Sequence, residues 1–222
     1  MPTDRPTSPP DDPAYEESRE RAQRSAQQRL ADGGEMRLGE DLTAAAIAVL
    51  DEAIARSPHR ASHACRAGCG WCCHQPVYIT TPEAITAVAH LVATWPAERI
   101  TGLRSLLKQR INQRIAMGGN RAVLAKGLDC AFLDDDNACA IHPARPLACR
   151  GHLSSSAEAC ATRFADPGAA PPPIDAHAHH AARGVIHGLD AALRTAGLAS
   201  GLRELHRAIL ELLPPAGPEA RA

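Results

Sequence analysis

Apolar positions along the chain fall into helical stretches separated by one long aperiodic stretch. Leu42, Ala46, Val49, Ala53 and Ile54 return at three- and four-residue steps, which puts them on one narrow face of a helix ending before Pro58. Val77-Tyr78-Ile79-Thr80 is the one run that reads as a strand. Thr81-Pro82-Glu83 then reads as a helix start, with Thr81 as N-cap and Pro82 in the first turn. Its expected apolar face is Ile85, Val88, Ala89 and Val92, and Trp95-Pro96 stops it. A third helix is expected from Pro96 to Met117, with Ile100, Leu103, Leu107, Ile111 and Ile115 in register and Gly118-Gly119 at its end. Beyond Pro171-Pro172-Pro173, Asp175 is placed to cap a helix reaching Ala196, and a last helix presents Leu202, Leu205, Ile209 and Leu212.

Elsewhere the pattern fails. Residues 1–37 are rich in Pro, charge and Gln, and Ser18 to Leu30 lacks an apolar stripe, so this stretch is expected to be a disordered or solvated arm. Residues 38–213 are expected to form a single helical domain, and the Pro-rich 214–222 a frayed end. From Arg121 to about Ala165 no period persists, and loops above ~15 residues are unusual unless they are functional or tied down. The expected fold class is mainly α: a small helical domain with an irregular cysteine-rich metal-binding region and little strand.

Composition explains why something must tie that region down. The chain has 222 residues with 44 Ala, whereas Leu, Ile, Val and Phe together number 40. Each buried CH2 contributes only about 0.8 kcal/mol, so an Ala-rich interior is a weak source of stability. The net charge of −1 gives no basic stripe, and no nucleic-acid partner is expected. No apolar run approaches the ~20 residues of a membrane-spanning helix, and Met1 to Pro6 carries no secretory signal, so no membrane partner and a cytoplasmic location are expected. In a reducing compartment, eight cysteines read as metal ligands rather than disulfides.

Four of them, Cys65, Cys69, Cys72 and Cys73, lie within nine residues, with Gly68 and Gly70 permitting the turns that aim successive sulfurs at one point. Both zinc sites and iron–sulfur clusters use such spacing. Side chains of the vicinal pair Cys72 and Cys73 are expected to point apart, so either they address two centres or one ligates and the other packs. The later cysteines, Cys130, Cys139, Cys149 and Cys160, stand eight to ten residues from one another, which suits loops that return to one locus. Asp135-Asp136-Asn137 is turn-forming and would let Cys130 and Cys139 face each other. Four thiolates around a divalent metal leave a charge of about −2, which Arg66, Arg145, Arg150 and Arg163 are near enough in sequence to offset.

The Cys65–Cys73 block, the segment Cys130-Ala131-Phe132-Leu133-Asp134 and the segment Arg145-Pro146-Leu147-Ala148-Cys149-Arg150 together resemble the YkgJ-like cysteine-cluster family, also known as the CxxCxxCC domain. The resemblance spans about residues 60–165. It implies that the eight cysteines act as a set, holding iron–sulfur or zinc, and it implies no particular reaction. The Cys65–Cys69 gap is three residues where the family's label has two.

Short spacing in the first block and scattered later cysteines favour one or two iron–sulfur clusters, 4Fe–4S above other types, over zinc. The expected function is metal binding with a redox or electron-transfer role toward a protein partner. The alternative is a zinc-stapled, non-catalytic interaction module. Cys65-x3-Cys69-Gly70-Trp71-Cys72 also resembles the cluster motif of radical-SAM enzymes, but their partial β/α barrel needs several strands where this chain offers one. His74 and His142 sit inside the motifs as secondary ligand candidates. His177, His179, His180 and His187 read as an exposed His-rich helix face rather than a second metal site, and Asp134-Asp135-Asp136 as a solvated turn.

Overall fold

The computed structural model describes residues 12–32, 38–118 and 128–215. Among them are eight α-helices and one two-stranded sheet. In chain order the helices are α1 (Pro13–Ala31), α2 (Leu38–Ala55), α3 (Thr81–Thr94), α4 (Ala97–Ala116), α5 (Leu147–Gly151), α6 (Ala157–Ala165), α7 (Ala176–Thr195) and α8 (Leu205–Leu212). Strands β1 (Tyr78–Ile79) and β2 (Arg203–Glu204) pair antiparallel, Tyr78 opposite Glu204. The mainly helical class holds, and the described residues contain nothing like a radical-SAM barrel.

Two apolar cores lie on either side of the cysteine region. The first joins α1, α2 and α7 through Leu42, Leu50, Val185 and Leu189, with Leu147 of α5 reaching into it. The solvated arm expected over residues 1–37 is therefore not what residues 13–31 form; residues 1–11 and 33–37 lie outside the described residues. Asp12 caps α1 by accepting from the Tyr15 amide at 3.1 Å, and Pro13 suits the first turn. Ala14, Ser18, Ala22 and Ala26 then form a stripe of small residues at four-residue steps, buried against α7. Opposite them, Gly184 and Gly188 let the two backbones nearly touch. A Cβ on Gly188 would lie 2.2 Å from the Arg19 carbonyl oxygen, and one on Gly184 would lie 2.2 Å from that of Tyr15.

The second core gathers Ile79, Leu91, Leu103, Leu107, Phe132, Ile141 and Ile209 from β1, α3, α4, α8 and the cysteine region. In α3 the expected face is displaced. Thr80 rather than Thr81 is the N-cap, and Glu83, Ala84, Ala87 and Leu91 are buried, whereas Ile85 and Val92 are exposed. The cause is the Glu83 carboxylate, which is turned inward to accept from the Thr80 amide, the Thr80 hydroxyl and the Leu147 amide, each at 2.8 Å. α4 follows expectation through Leu107, after which Ile115 is exposed, and Gly118 closes it with φ +81°. α7 starts at Asp175 as expected, its side chain accepting from the Ala178 amide. Of the expected last-helix face, Leu205 and Ile209 are buried, while Leu202 precedes the helix and is exposed with Leu212. Of the frayed end expected over 214–222, residues 216–222 lie outside the described residues.

Candidate metal centre

All eight cysteines are free thiols; Cys65 is exposed and the other seven are half-buried. The first block is a chain of tight turns. Gly68 takes φ +76°, a conformation open to glycine at no steric cost, and the Cys69 amide donates to the Arg66 carbonyl at 3.1 Å. The Cys73 amide donates to the Gly70 carbonyl at 2.9 Å, winding Trp71–His74 into a 3-10 turn that carries Cys72 and Cys73. This geometry absorbs the extra residue between Cys65 and Cys69.

The second set reaches the first through backbone contacts. The Cys130 amide donates to the Cys73 carbonyl at 2.7 Å. Leu133 pairs with Cys139 in an isolated antiparallel bridge, and the turn between them closes on Asp134, whose carboxylate accepts from the Asp136 and Ala138 amides. Asn137 there sits at φ 56°, a left-handed position that Asn tolerates. The hairpin-like return expected from Asp135-Asp136-Asn137 is thus present. A Cβ on Gly70 would meet Leu133 Cδ1 at 2.8 Å, so the two blocks are packed backbone to side chain. Cys149 is set by α5, anchored at its first residue by Glu83 and pressed on α7 at Gly151, where a Cβ would lie 2.3 Å from that of Ala182. Cys160 rides on α6, whose N-cap Ser156 accepts from the Ala159 amide at 3.0 Å. The α6 residue Phe164 stacks on Trp71 and His74, with ring centroids 5.6 and 4.3 Å away.

Electrostatics links the thiols. The Cys73 S–H donates to Cys72, so the vicinal side chains do not point apart as expected; that bond and the nearby Arg145 charge bring Cys72 down to about 7, while the same bond and burial drive Cys73 up. Burial pushes Cys130 up to about 12 and Cys149 well above its ordinary range. Burial also raises Cys65 and Cys139, the latter opposed by Arg145. Of the four arginines considered for charge offset, Arg145 acts on Cys72 and Cys139. Arg150 lies 3.6 Å from Asp51, and Arg163 donates to the Ala169 carbonyl. The side-chain Nε atoms of Arg145 and Arg150 are buried without a hydrogen-bond partner, the kind of donor that a thiolate sulfur satisfies.

His142 meets Arg145 at 3.0 Å, and desolvation holds its pKa below the ordinary value. His74 packs on Phe164. The α7 histidines do not form an exposed face: His180 binds Asp12 at 2.5 Å, His187 binds Tyr15 at 2.8 Å and His177 binds the Ala53 carbonyl at 3.1 Å, tying α7 to α1 and α2.

Two supports of the site escaped the sequence. Ser154 carries Cys65: its amide donates to Cys65 Sγ at 3.4 Å and its carbonyl accepts from the Ala64 amide at 2.8 Å. Buried His206 accepts the Ala131 amide at 3.2 Å, and its Nδ1, without a hydrogen-bond partner, faces Glu204 Oε1 at 3.4 Å, which Arg114 holds at 2.9 Å. Neither follows a spacing rule, because both contacts bring together residues far apart in the chain.

The donor set suits a soft or borderline metal: thiols whose desolvation disfavours a bare thiolate yield their protons readily only to a cation. Among the described residues no three Cys, His, Asp or Glu side chains already converge on one point at single-ion spacing, so binding must draw sulfurs inward. No curated protein and no solved structure matches the chain. Residues 64–164, which span all eight cysteines, match the model of the CxxCxxCC family, described as a putative zinc- or iron-chelating domain.

Proposed function

We propose that the protein holds one or two iron–sulfur clusters, 4Fe–4S in type, on Cys65, Cys69, Cys72, Cys73, Cys130, Cys139, Cys149 and Cys160, and passes electrons to a protein partner. The observation that supports this reading is that thiols from four stretches of chain interact electrostatically with one another, Cys72 on the turn Trp71–His74 among them. Iron–sulfur is favoured over zinc by the short spacing of the first four cysteines together with the scattered later four. When bound, iron supplies a one-electron couple. The chain supplies the thiolates, sets the Arg145 charge beside Cys72 and Cys139, and packs Cys130 and Cys139 against apolar side chains.

Protein purified without oxygen and analysed for iron, acid-labile sulfide and zinc tests this. Iron and sulfide in equal amounts, with visible absorption and a paramagnetic signal on reduction, is the expected result. Stoichiometric zinc without sulfide overturns it in favour of a zinc-stapled interaction module.

A further inference from the structure

The short helix α5 carries Cys149 and sits hard against α7. A Cβ on Gly151 would lie 2.3 Å from that of Ala182 and 2.8 Å from the Ala178 carbonyl oxygen. The next residue, His152, ends α5 and sets its ring edge-on to His179 of α7, with centroids 6.2 Å apart and planes at 75°. The His179 ring in turn lies 5.9 Å from that of His180, whose Nδ1 is bonded to Asp12 at 2.5 Å. Three imidazoles therefore run from the cysteine segment across α7 to the N-cap of α1. Just beyond His152 the chain is tied again: the Leu153 carbonyl accepts from the Asp175 amide at 2.8 Å, and Ser154 bridges Ile174.

We infer that the His152–His179 contact is an acid-operated latch: protonation of the pair frees α5, and Cys149 with it, from α7, while α1 stays in place. Two imidazolium rings cannot share one half-buried contact, because each needs the water that the contact excludes. Burial accordingly holds His152 below its ordinary 6.5, and burial with His152, Arg183 and His180 nearby brings His179 to about 4. A depressed imidazole pKa stabilises the closed contact fully above pH 6.5, and that contribution is lost as pH falls toward 4. Over the same range the tie to α1 survives. Burial would raise Asp12, but the bonds from His180 and the Tyr15 amide hold it below 3.8, so its carboxylate stays charged opposite a ring that acid can only make more positive. Two further charges face α5. Arg150 lies 3.6 Å from Asp51 of α2, and Glu83 holds the Leu147 amide with its pKa raised by burial, so acid acts there against opening. The latch does not depend on which metal the thiols hold.

Hydrogen exchange of the full chain between pH 7 and pH 5, read residue by residue by NMR and corrected for the intrinsic pH dependence of exchange, tests the latch. The readouts are the Arg150 amide, bonded to the Pro146 carbonyl at 2.9 Å, and the Leu153 amide, bonded to that of Gly151 at 3.2 Å. From His179 alone, opening at these amides should rise about 20-fold between pH 7 and pH 5, while the middle of α1 stays flat. His152→Gln with His179→Gln removes both titrating rings and keeps all eight thiols, so the rise should disappear. Acid weakening of thiolate bonds to a metal would persist in that variant, which separates it from the latch. A flat wild-type profile at Arg150 and Leu153, an equal rise in α1, or an undiminished rise in a double variant with wild-type helical circular dichroism overturns the inference. The wild-type profile needs no variant, so a variant that fails to fold does not shield it.

Discussion

The three-helix core of α1, α2 and α7 and the cysteine segment between residues 64 and 164 solve the same shortage of large side chains in different ways. In the helical core, Ala and Gly stripes let backbones approach until dispersion between main chains replaces bulky side chains. In the cysteine segment, Gly, Pro and Asp break the helical period, and individual contacts fix the chain: Cys130 on Cys73, Ser154 on Cys65, Glu83 on Leu147. A continuous surface tolerates no added atom, whereas a set of point tethers fails one tether at a time. The largest expected effect follows from the first half of that contrast. Gly188→Val places a branched side chain where even a Cβ would stand 2.2 Å from the Arg19 carbonyl oxygen, so α1 must leave α7. A loss of about 4 kcal/mol or more in urea denaturation is expected, at the upper end for one overpacked site. Gly102→Ala, on α4 with nothing near its Cβ, should instead gain about 0.5–1 kcal/mol through helix propensity.

The second effect comes from the core that borders the cysteines. Burial, with Arg114 and Arg110 nearby, brings His206 down to about 3 from its ordinary 6.5. Asp129 opposes this shift, and Glu204 faces the ring from β2. The fold therefore holds a neutral imidazole that the unfolded chain would protonate below pH 6.5. That stability is complete above pH 6.5 and is lost as pH falls toward 3, by up to about 4 kcal/mol. His179 on α7, brought to about 4 mainly by burial, adds loss in the same window from the helical core. Urea midpoints of His206→Gln between pH 7 and 4 should show a flattened slope, not an abolished one. An unchanged slope would place the acid sensitivity wholly in the helical core.

How much of this was legible in the sequence depends on what carried the signal. Helices α2, α4 and α7 were readable because large apolar residues or an Asp cap announce them, and the Asn137 turn because its residue types demand it. The four-residue repeat of Ala14, Ser18, Ala22 and Ala26 was equally periodic but was overlooked, since small residues score as weakly apolar and the partner glycines lie far along the chain. The α3 face was misplaced by one position because a carboxylate is normally turned outward, and only tertiary structure supplies the Leu147 amide that draws Glu83 in. The cysteine motif was legible as a set because spacing and turn residues are local. Its supports, Ser154 and His206, are long-range contacts to backbone amides, for which no residue pattern exists.

Glu83 gives the smallest loss and the one that crosses between the two regions. Its two oxygens serve three donors at 2.8 Å, the Leu147 amide at one oxygen and both the amide and hydroxyl of Thr80 at the other. Burial raises its pKa while these donors resist the rise. In Glu83→Gln the amide oxygen can keep Leu147, but its NH2 then confronts the Thr80 amide donor, and only the hydroxyl can rotate to accept. One buried N–H is left without a partner, a cost of about 1–2 kcal/mol. If the helical core is continuous and the cysteine segment tethered point by point, that cost should fall locally. Hydrogen exchange should quicken at the Thr80 amide and the first turn of α3, while amides of α1 and the middle of α7 keep their protection. Equal acceleration throughout α7 would show that the two regions open as one unit.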